Sequence, residues 1–287
     1  TMGDDGVAWG PGFVSASPVF SGEDIDGDGR ADLAVIDVEP DGTSDIAYQV
    51  FFGGEAETRC PLFTTSGYFA APIGDGDGDG ITETAWRGDG EVWILSGGAI
   101  RDACEGWIED HAVGLLDVPE GGGPLIPGIR LGDWDGDGVE EWMTYRNTSL
   151  DPGDEVLWVF SADAAVSGAF STDDALGSWV VPPGANTLTR PKVLDLDGDG
   201  IDELLVSEGD YRAHVIRGGT PFSFGADLPA HHLRYAGNVC VSSPCSGDFD
   251  GDGFEDLLAR EGNQEDGGSS AWIIYGFEVP WDDASRW

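Results

Sequence analysis

Five stretches of this 287-residue chain carry carboxylates at the same offsets. The first runs Asp24, Asp26, Asp28 and Asp32. The others run Asp75, Asp77, Asp79 and Glu83; Asp133, Asp135, Asp137 and Glu141; Asp195, Asp197, Asp199 and Glu203; and Asp248, Asp250, Asp252 and Asp256. In every copy Gly fills positions 4 and 6, so the unit reads Asp-x-Asp-Gly-Asp-Gly-x-x-Asp/Glu. This is chemistry for a hard cation. Calcium takes about 6–8 oxygen ligands at about 2.3–2.6 Å, and carboxylates at positions 1, 3 and 5 reach one point if the chain curls tightly. Gly permits that curl because it adopts positive φ without steric penalty. A backbone carbonyl at position 7 adds an oxygen, and the acid at position 9 closes the site through one or both of its oxygens.

Position 9 separates this loop from an EF-hand, which closes on a Glu at position 12. Here position 12 is Val35, Trp86, Thr144, Val206 and Ala259. Asp-Gly pairs also favour hairpin turns, but a turn does not require four mutually repelling carboxylates in every copy. Magnesium suits the loop less well, because it retains waters and holds to octahedral geometry. The cofactor expected is calcium, about one ion per loop.

The charge agrees. The formal net charge is −42, with 55 acidic residues against 13 basic ones. Hydrophobic residues make up 40% and aromatics 10%, enough for a packed core and unlike a disordered acidic tail. Repulsion of this size opposes compaction unless cations belong to the fold. Nucleic acid is excluded as a partner, since its phosphates are met by Lys and Arg. No apolar run approaches the length of about 20 residues that spans a bilayer.

The loops begin 51, 58, 62 and 53 residues apart, a spacing that fills the chain with five repeats and leaves no room for a sixth. Each loop follows a short apolar stretch (13–20, 68–73, 124–131, 188–194, 238–241) and precedes another, such as 32–36 or 203–206. An aromatic-rich run comes next (46–52, 91–95, 155–160, 213–216, 271–275), often ending in Gly. A weaker fourth stretch closes the repeat, for instance 60–65 and 178–181. Short β-branched and aromatic runs bounded by Gly, Asp and Pro read as strands, and four strands per repeat is the layout of a propeller blade. The expectation is an all-β, five-bladed β-propeller, one domain across 1–287, with four antiparallel strands and one calcium loop per blade. The stretch 162–175 is the one candidate for a short helix.

The loop, followed by an apolar strand and an aromatic strand ending in Gly, resembles the FG-GAP/VCBS repeats of integrin α-subunit propellers and bacterial surface proteins. The resemblance implies calcium in the loop joining a blade's first and second strands. It adds as ligands the carbonyls of Arg30, Ile81, Val139, Ile201 and Phe254. The chain departs from the integrin form: the Gly-Ala-Pro after the second strand is absent, and the length fits five blades rather than seven. Integrin function is therefore not carried over.

Other residues were weighed as sites. Trp93, Trp158 and Trp272 align with Gln49 and His214 in the third strand, where packing between blades outweighs a sugar-stacking ring. Trp134 and Phe249, at loop position 2, are likewise expected to be packed. Arg87, Gly88 and Asp89 form an Arg-Gly-Asp tripeptide, but Gly90 makes it read as a hairpin turn. His231 and His232 would face opposite ways on a strand. Asn147 opens a glycosylation acceptor that matters only in a host using it. Cys240 and Cys245 are the favoured local disulfide. Pairing of Cys60 with Cys104 would need their Cα atoms within about 4.4–6.8 Å, which the spacing leaves open.

No catalytic residue is assigned. The reading is a non-catalytic, calcium-stabilised binding or adhesion module, a monomeric domain of a larger secreted or cell-surface protein, with any signal peptide outside the chain. Its partner would be a protein or glycan, met by loops on the face away from the calcium (147–154, 182–188, 221–232, 261–270). A glycan-binding lectin and a polysaccharide-acting enzyme are the alternatives; the enzyme would need a carboxylate pair about 5–9.5 Å apart, which no motif isolates.

Overall fold

Alternation and turn chemistry predict hairpins joined through the acidic loops, and the computed structural model has that form. It describes residues 16–37, 46–54, 59–64, 70–87, 91–117, 125–146, 155–181, 192–208, 212–224, 226–227, 231–233, 238–239, 246–262 and 269–276. The chain is all-β, and among the described residues the strands form five sheets, one per repeat. Two compact units contain them: Thr1–Pro127 with Ser161–Asp174, and Gly128–Phe160 with Ala175–Trp287.

In the first unit, one sheet orders Ala16–Ser21, Leu33–Asp37, Ile46–Phe51 and Arg59–Thr64 as antiparallel neighbours. The other orders Ala70–Gly74, Glu83–Arg87, Glu91–Leu95 and Gly114–Asp117 in the same way. Each gains a fifth, parallel strand from the repeat that follows it in sequence. Gly106–Trp107 pairs with Arg59–Thr64, and Ala169–Ser171 pairs with Gly114–Asp117. That second pairing explains why 161–174 belongs to this unit. The stretch 162–175 is therefore α-helical only over Ala162–Ala165, before it turns into the added strand and then a 3-10 turn over Thr172–Asp174.

In the second unit, the third sheet orders Leu125–Gly132, Glu141–Arg146, Glu155–Ser161 and Gly177–Val181, with Ala226–Asp227 added in parallel from the fourth repeat. The fourth sheet orders Lys192–Leu194, Glu203–Glu208, Arg212–Ile216 and His231–Leu233. In the fifth, Asp256–Gly262 lies between Ser269–Ile274 and two short strands, Asn238–Val239 and Ser246–Gly247. Register confirms the repeat: Gln49, Trp93, His214 and Trp272 each lie opposite loop position 12, namely Val35, Trp86, Val206 and Ala259.

In the second, third and fourth repeats, the segment that leaves the third strand to reach the preceding sheet also covers the preceding repeat's loop at position 2. Ile25 is fully buried in the core cluster that holds Ile100, Ala103 and Ile108 from the next repeat. Trp134 is fully buried, donates its indole N–H to Thr220 O at 3.0 Å and stacks near Phe222, 6.4 Å between centroids. Gly76 lies so near the short helix that a Cβ there would fall 2.2 Å from Ala162 O. Phe249 departs from the expectation of packing: it is 50% exposed among the described residues. Trp86 fills the first unit's core edge-on to Tyr48 and Phe20, and Trp93 packs half-buried against the same cluster.

Cys60 and Cys104 are joined, with Cα atoms 4.8 Å apart. The link spans a repeat because the covering segment carries Cys104 back beside the first sheet, where Glu105 N–H meets Pro61 O at 2.7 Å. Cys240, Cys245, Gly88, Asp89 and Asn147 lie outside the described residues.

The cover over Gly76 gives a test. Gly76→Ala should destabilise the chain by about 1–3 kcal/mol, the usual cost of overpacking. Gly98→Ala, which meets nothing within 4 Å, should be close to neutral. Chemical denaturation of the two variants compares them directly.

Candidate metal centres

The nine-residue loops fold on themselves through their own carboxylates. At position 1, Asp24 accepts N–H bonds from Gly27 and Gly29 at 2.8 and 2.7 Å. Asp75 does so from Gly78 and Gly80 at 2.7 and 2.9 Å, and Asp195 and Asp248 repeat the pattern. Asp133 takes its bond from Gly138. At position 3, Asp26, Asp77, Asp135, Asp197 and Asp250 each accept the N–H two residues on at 3.1 Å. At position 5, Asp28, Asp79, Asp137, Asp199 and Asp252 accept the N–H of Arg30, Ile81, Val139, Ile201 and Phe254 at 2.8–2.9 Å. The curl needs Gly at positions 4 and 6, where φ runs from +72° to +96° across the five copies.

Position 9 behaves differently. Asp32, Glu83, Glu141, Glu203 and Asp256 are buried, at most 2% exposed. One oxygen of each accepts the N–H of loop position 2: Ile25 at 2.8 Å, Trp134, Leu196 and Phe249 at 2.7 Å, and Gly76. The other oxygen reaches the end of the third strand in three repeats, where Gly53, Gly218 and Gly276 donate to Asp32, Glu203 and Asp256 at 2.7, 3.4 and 2.8 Å. Those strand ends approach loop position 8 so closely that a Cβ on Gly53, Gly218 or Gly276 would fall 2.6, 2.7 or 2.1 Å from its carbonyl oxygen. The Gly closing the aromatic run was visible in the sequence; its bond to position 9 was not. In the second and third repeats, Glu83 Oε1 and Glu141 Oε1 are buried with no hydrogen-bond partner among the described residues.

The loops bring carboxylates together without help from distant residues. Asp24, Asp26 and Asp32 each offer an oxygen within 4.8 Å of the others. So do Asp75, Asp77 and Glu83; Asp133, Asp135 and Glu141; Asp195, Asp197 and Asp199; and Asp248, Asp250 and Asp256. Position 5 joins the trio in the fourth loop alone, and elsewhere position 9 does.

The electrostatics follow from burial. For Asp24, N–H bonds from Gly29 and Gly27 outweigh slight burial and lower its pKa. For Asp32, burial outweighs its two N–H bonds and raises it, with Asp26 and Asp24 adding repulsion. Burial, with repulsion from Asp77 and Asp135 respectively, pushes Glu83 and Glu141 up to about 7. Burial and Asp197 push Glu203 to about 8. Buried carboxyls facing other carboxylates need either a proton or a cation. An all-oxygen donor set of this kind, with Glu83 Oε1 and Glu141 Oε1 still able to accept, fits calcium rather than a thiophilic metal.

Comparison with known proteins bears on the last two loops. Residues 195–259, from the fourth loop through the fifth, match the FG-GAP-like repeat family model. The other three loops share its spacing and bonding but lie outside that match. No curated protein sequence matches the chain. Among solved structures, BBS1N in complex with ARL6DN, soaked with lead, is similar with a TM-score of 0.46 and 10% identity over 94% of this chain and 70% of that one.

The raised carboxyls predict a pH dependence. A carboxyl whose folded pKa exceeds its ordinary value of 4.5 favours the fold when protonated. That contribution is complete below 4.5 and lost as pH rises through 7 to 8. In EDTA the melting temperature should therefore keep falling between about pH 6 and 8.5, where ordinary carboxylates are already ionised. A flat or rising curve across that window contradicts the assignment.

Proposed function

We propose that the chain is a calcium-stabilised, five-bladed β-propeller serving as a non-catalytic binding or adhesion module of a secreted or cell-surface protein. One observation carries this reading. In all five repeats the carboxylates of positions 1 and 3 gather with a third, position 9 in four loops and position 5 in the fourth, and each repeat buries an acid at position 9 that holds the loop to its own sheet. The FG-GAP-like match at 195–259 supports the propeller assignment. The ions would be held by positions 1, 3, 5 and 9 with the position-7 carbonyl. When bound, calcium supplies positive charge that replaces the proton on the position-9 acid and offsets repulsion within the loop.

The module would work by rigid display. Each loop joins a first strand to a second at one end of its sheet, and the turn joining second to third strands lies at the other. Loops at that second end would present the surface for a protein or glycan; 147–154 and 263–268, within the stretches that the sequence suggests for it, lie outside the described residues. Five ions would move the net charge only from −42 to −32, so a loaded module stays strongly acidic and favours partners with basic surfaces.

Extracellular calcium modules bind at about 10⁻⁴–10⁻³ M, and a ligand bound only by the folded state stabilises it. Millimolar calcium should raise the melting temperature at neutral pH and EDTA should lower it. Replacing Asp135 and Asp137 together by Asn should cut the ion count by metal analysis from five to four; a count still at five refutes that site. For the partner, a glycan array beside a polysaccharide-hydrolysis assay separates the readings. Silence in both supports a protein partner, binding without turnover selects a lectin, and turnover overturns the non-catalytic assignment.

A further inference from the structure

The first loop contains a cation supplied by the next repeat. Arg101 Nη2 pairs with Oδ2 of Asp26, loop position 3, whose side chain is fully buried while that of Arg101 is 37% exposed. The guanidinium carbon also sits 4.2 Å from the centroid of the Phe52 ring. Phe52 is itself buried and precedes Gly53, which donates to Asp32 of the same loop. The first repeat thus provides both a carboxylate and an aromatic face for this one positive charge, and both attract a cation to the same place.

The segment bearing Arg101 is anchored on both sides. Ile100 and Ala103 are fully buried in the first unit's core. Cys104, three residues on, is bonded to Cys60 in the first sheet's fourth strand. Gly106–Trp107 then pairs in parallel with Leu62 and Phe63 of that strand. Arg101 is therefore held against the loop by covalent and sheet contacts rather than by its charge alone.

We infer that Arg101 is an affinity-setting residue for the first loop, making it a weak calcium site that fills last; Arg217 also approaches the fourth loop, but at longer range, 3.7 Å from Asp197 and 3.5 Å from Asp199, and from a side chain 48% exposed. The inference rests on the calcium reading of the loops. A divalent ion drawn to Asp24, Asp26, Asp28 and Asp32 meets a fixed positive charge already paired to one of them. Arg101 offsets one of the four negative charges and repels the ion across a few ångströms. Even at the dielectric constant of water, a single charge about 5 Å from a divalent ion weakens binding by about tenfold or more.

The test is a calcium titration of the full chain, with ions counted by native mass spectrometry at increasing free calcium. In the parent protein one ion should enter last. Arg101→Gln should shift that ion to about tenfold lower calcium or further, while Arg101→Lys, which keeps the charge, should leave it near its original concentration. Asp24→Asn should remove the last ion, and adding Arg101→Gln to it should then shift none of the remaining four. If Arg101→Gln leaves the last ion unmoved or weakens it, Arg101 does not depress this site and the inference is overturned. If five ions enter the parent together, the inference fails and the calcium reading stands. If none enters, the reading itself fails and the inference with it.

Discussion

Everything in each repeat depends on one buried carboxylate. The acid at position 9 begins the second strand, or in the first repeat immediately precedes it, and its first oxygen takes the N–H of loop position 2. In three repeats its second oxygen reaches a Gly at the end of the third strand, as Asp32 does with Ile25 and Gly53. The loop, the second strand and the third are thereby tied through a single side chain. A carboxylate buried among other carboxylates is costly unless it gains a proton or a cation. That requirement connects the fold to the proposed calcium: the residue that closes the loop mechanically is also the one whose ionisation most needs positive charge. It also explains why the acid stands at position 9 rather than 12, because only the start of the second strand is within reach of both bonds.

The second level of organisation lies between repeats. Each covering segment reaches back to the preceding sheet, adds a short parallel strand and closes over loop position 2. Position 2 varies because the cover varies. Gly76 meets helix backbone, Ile25 meets an aliphatic cluster, and Trp134 meets Thr220 and Phe222. A similar contact joins loops directly, since the side chain of Ile81 lies over Gly27 and that of Phe254 over Gly198. A loop's shape is thus set by its own carboxylates, and its environment by the repeat that follows. Among the described residues, Arg101 brings charge to a loop from the repeat that follows, whereas Arg217 reaches Asp197 and Asp199 from the fourth loop's own repeat.

Much of this was legible in the sequence because it is local. Positions 1, 3, 5 and 9 converge through bonds spanning two to seven residues, and their spacing shows it. The strand assignments follow from runs bounded by Gly, Asp and Pro, and the predicted alignment of Gln49, Trp93, His214 and Trp272 reappears as a common register. The parts that were not legible depend on pairing across repeats. The fifth strands, only two or three residues long, carry no periodicity of their own. The stretch 162–175 reads as helical because nothing local marks Ala169–Ser171 as the neighbour of Gly114–Asp117. Spacing alone left Cys60 and Cys104 undecided, since only the returning segment brings them within 4.8 Å. Phe249 looks equivalent to Trp134 by position, yet it is half exposed where Trp134 is buried against Thr220 and Phe222, a difference that depends on contacts far along the chain.

The account stands or falls on where cations sit. Crystals grown in millimolar calcium, with anomalous scattering recorded at long wavelength, would locate them without reference to stability or stoichiometry in solution. The account predicts five peaks, one per loop, each bounded by the carboxylates of positions 1, 3, 5 and 9, with the peak beside Asp26 the weakest. Loops without peaks in calcium, or peaks away from the position-9 acids, would contradict it.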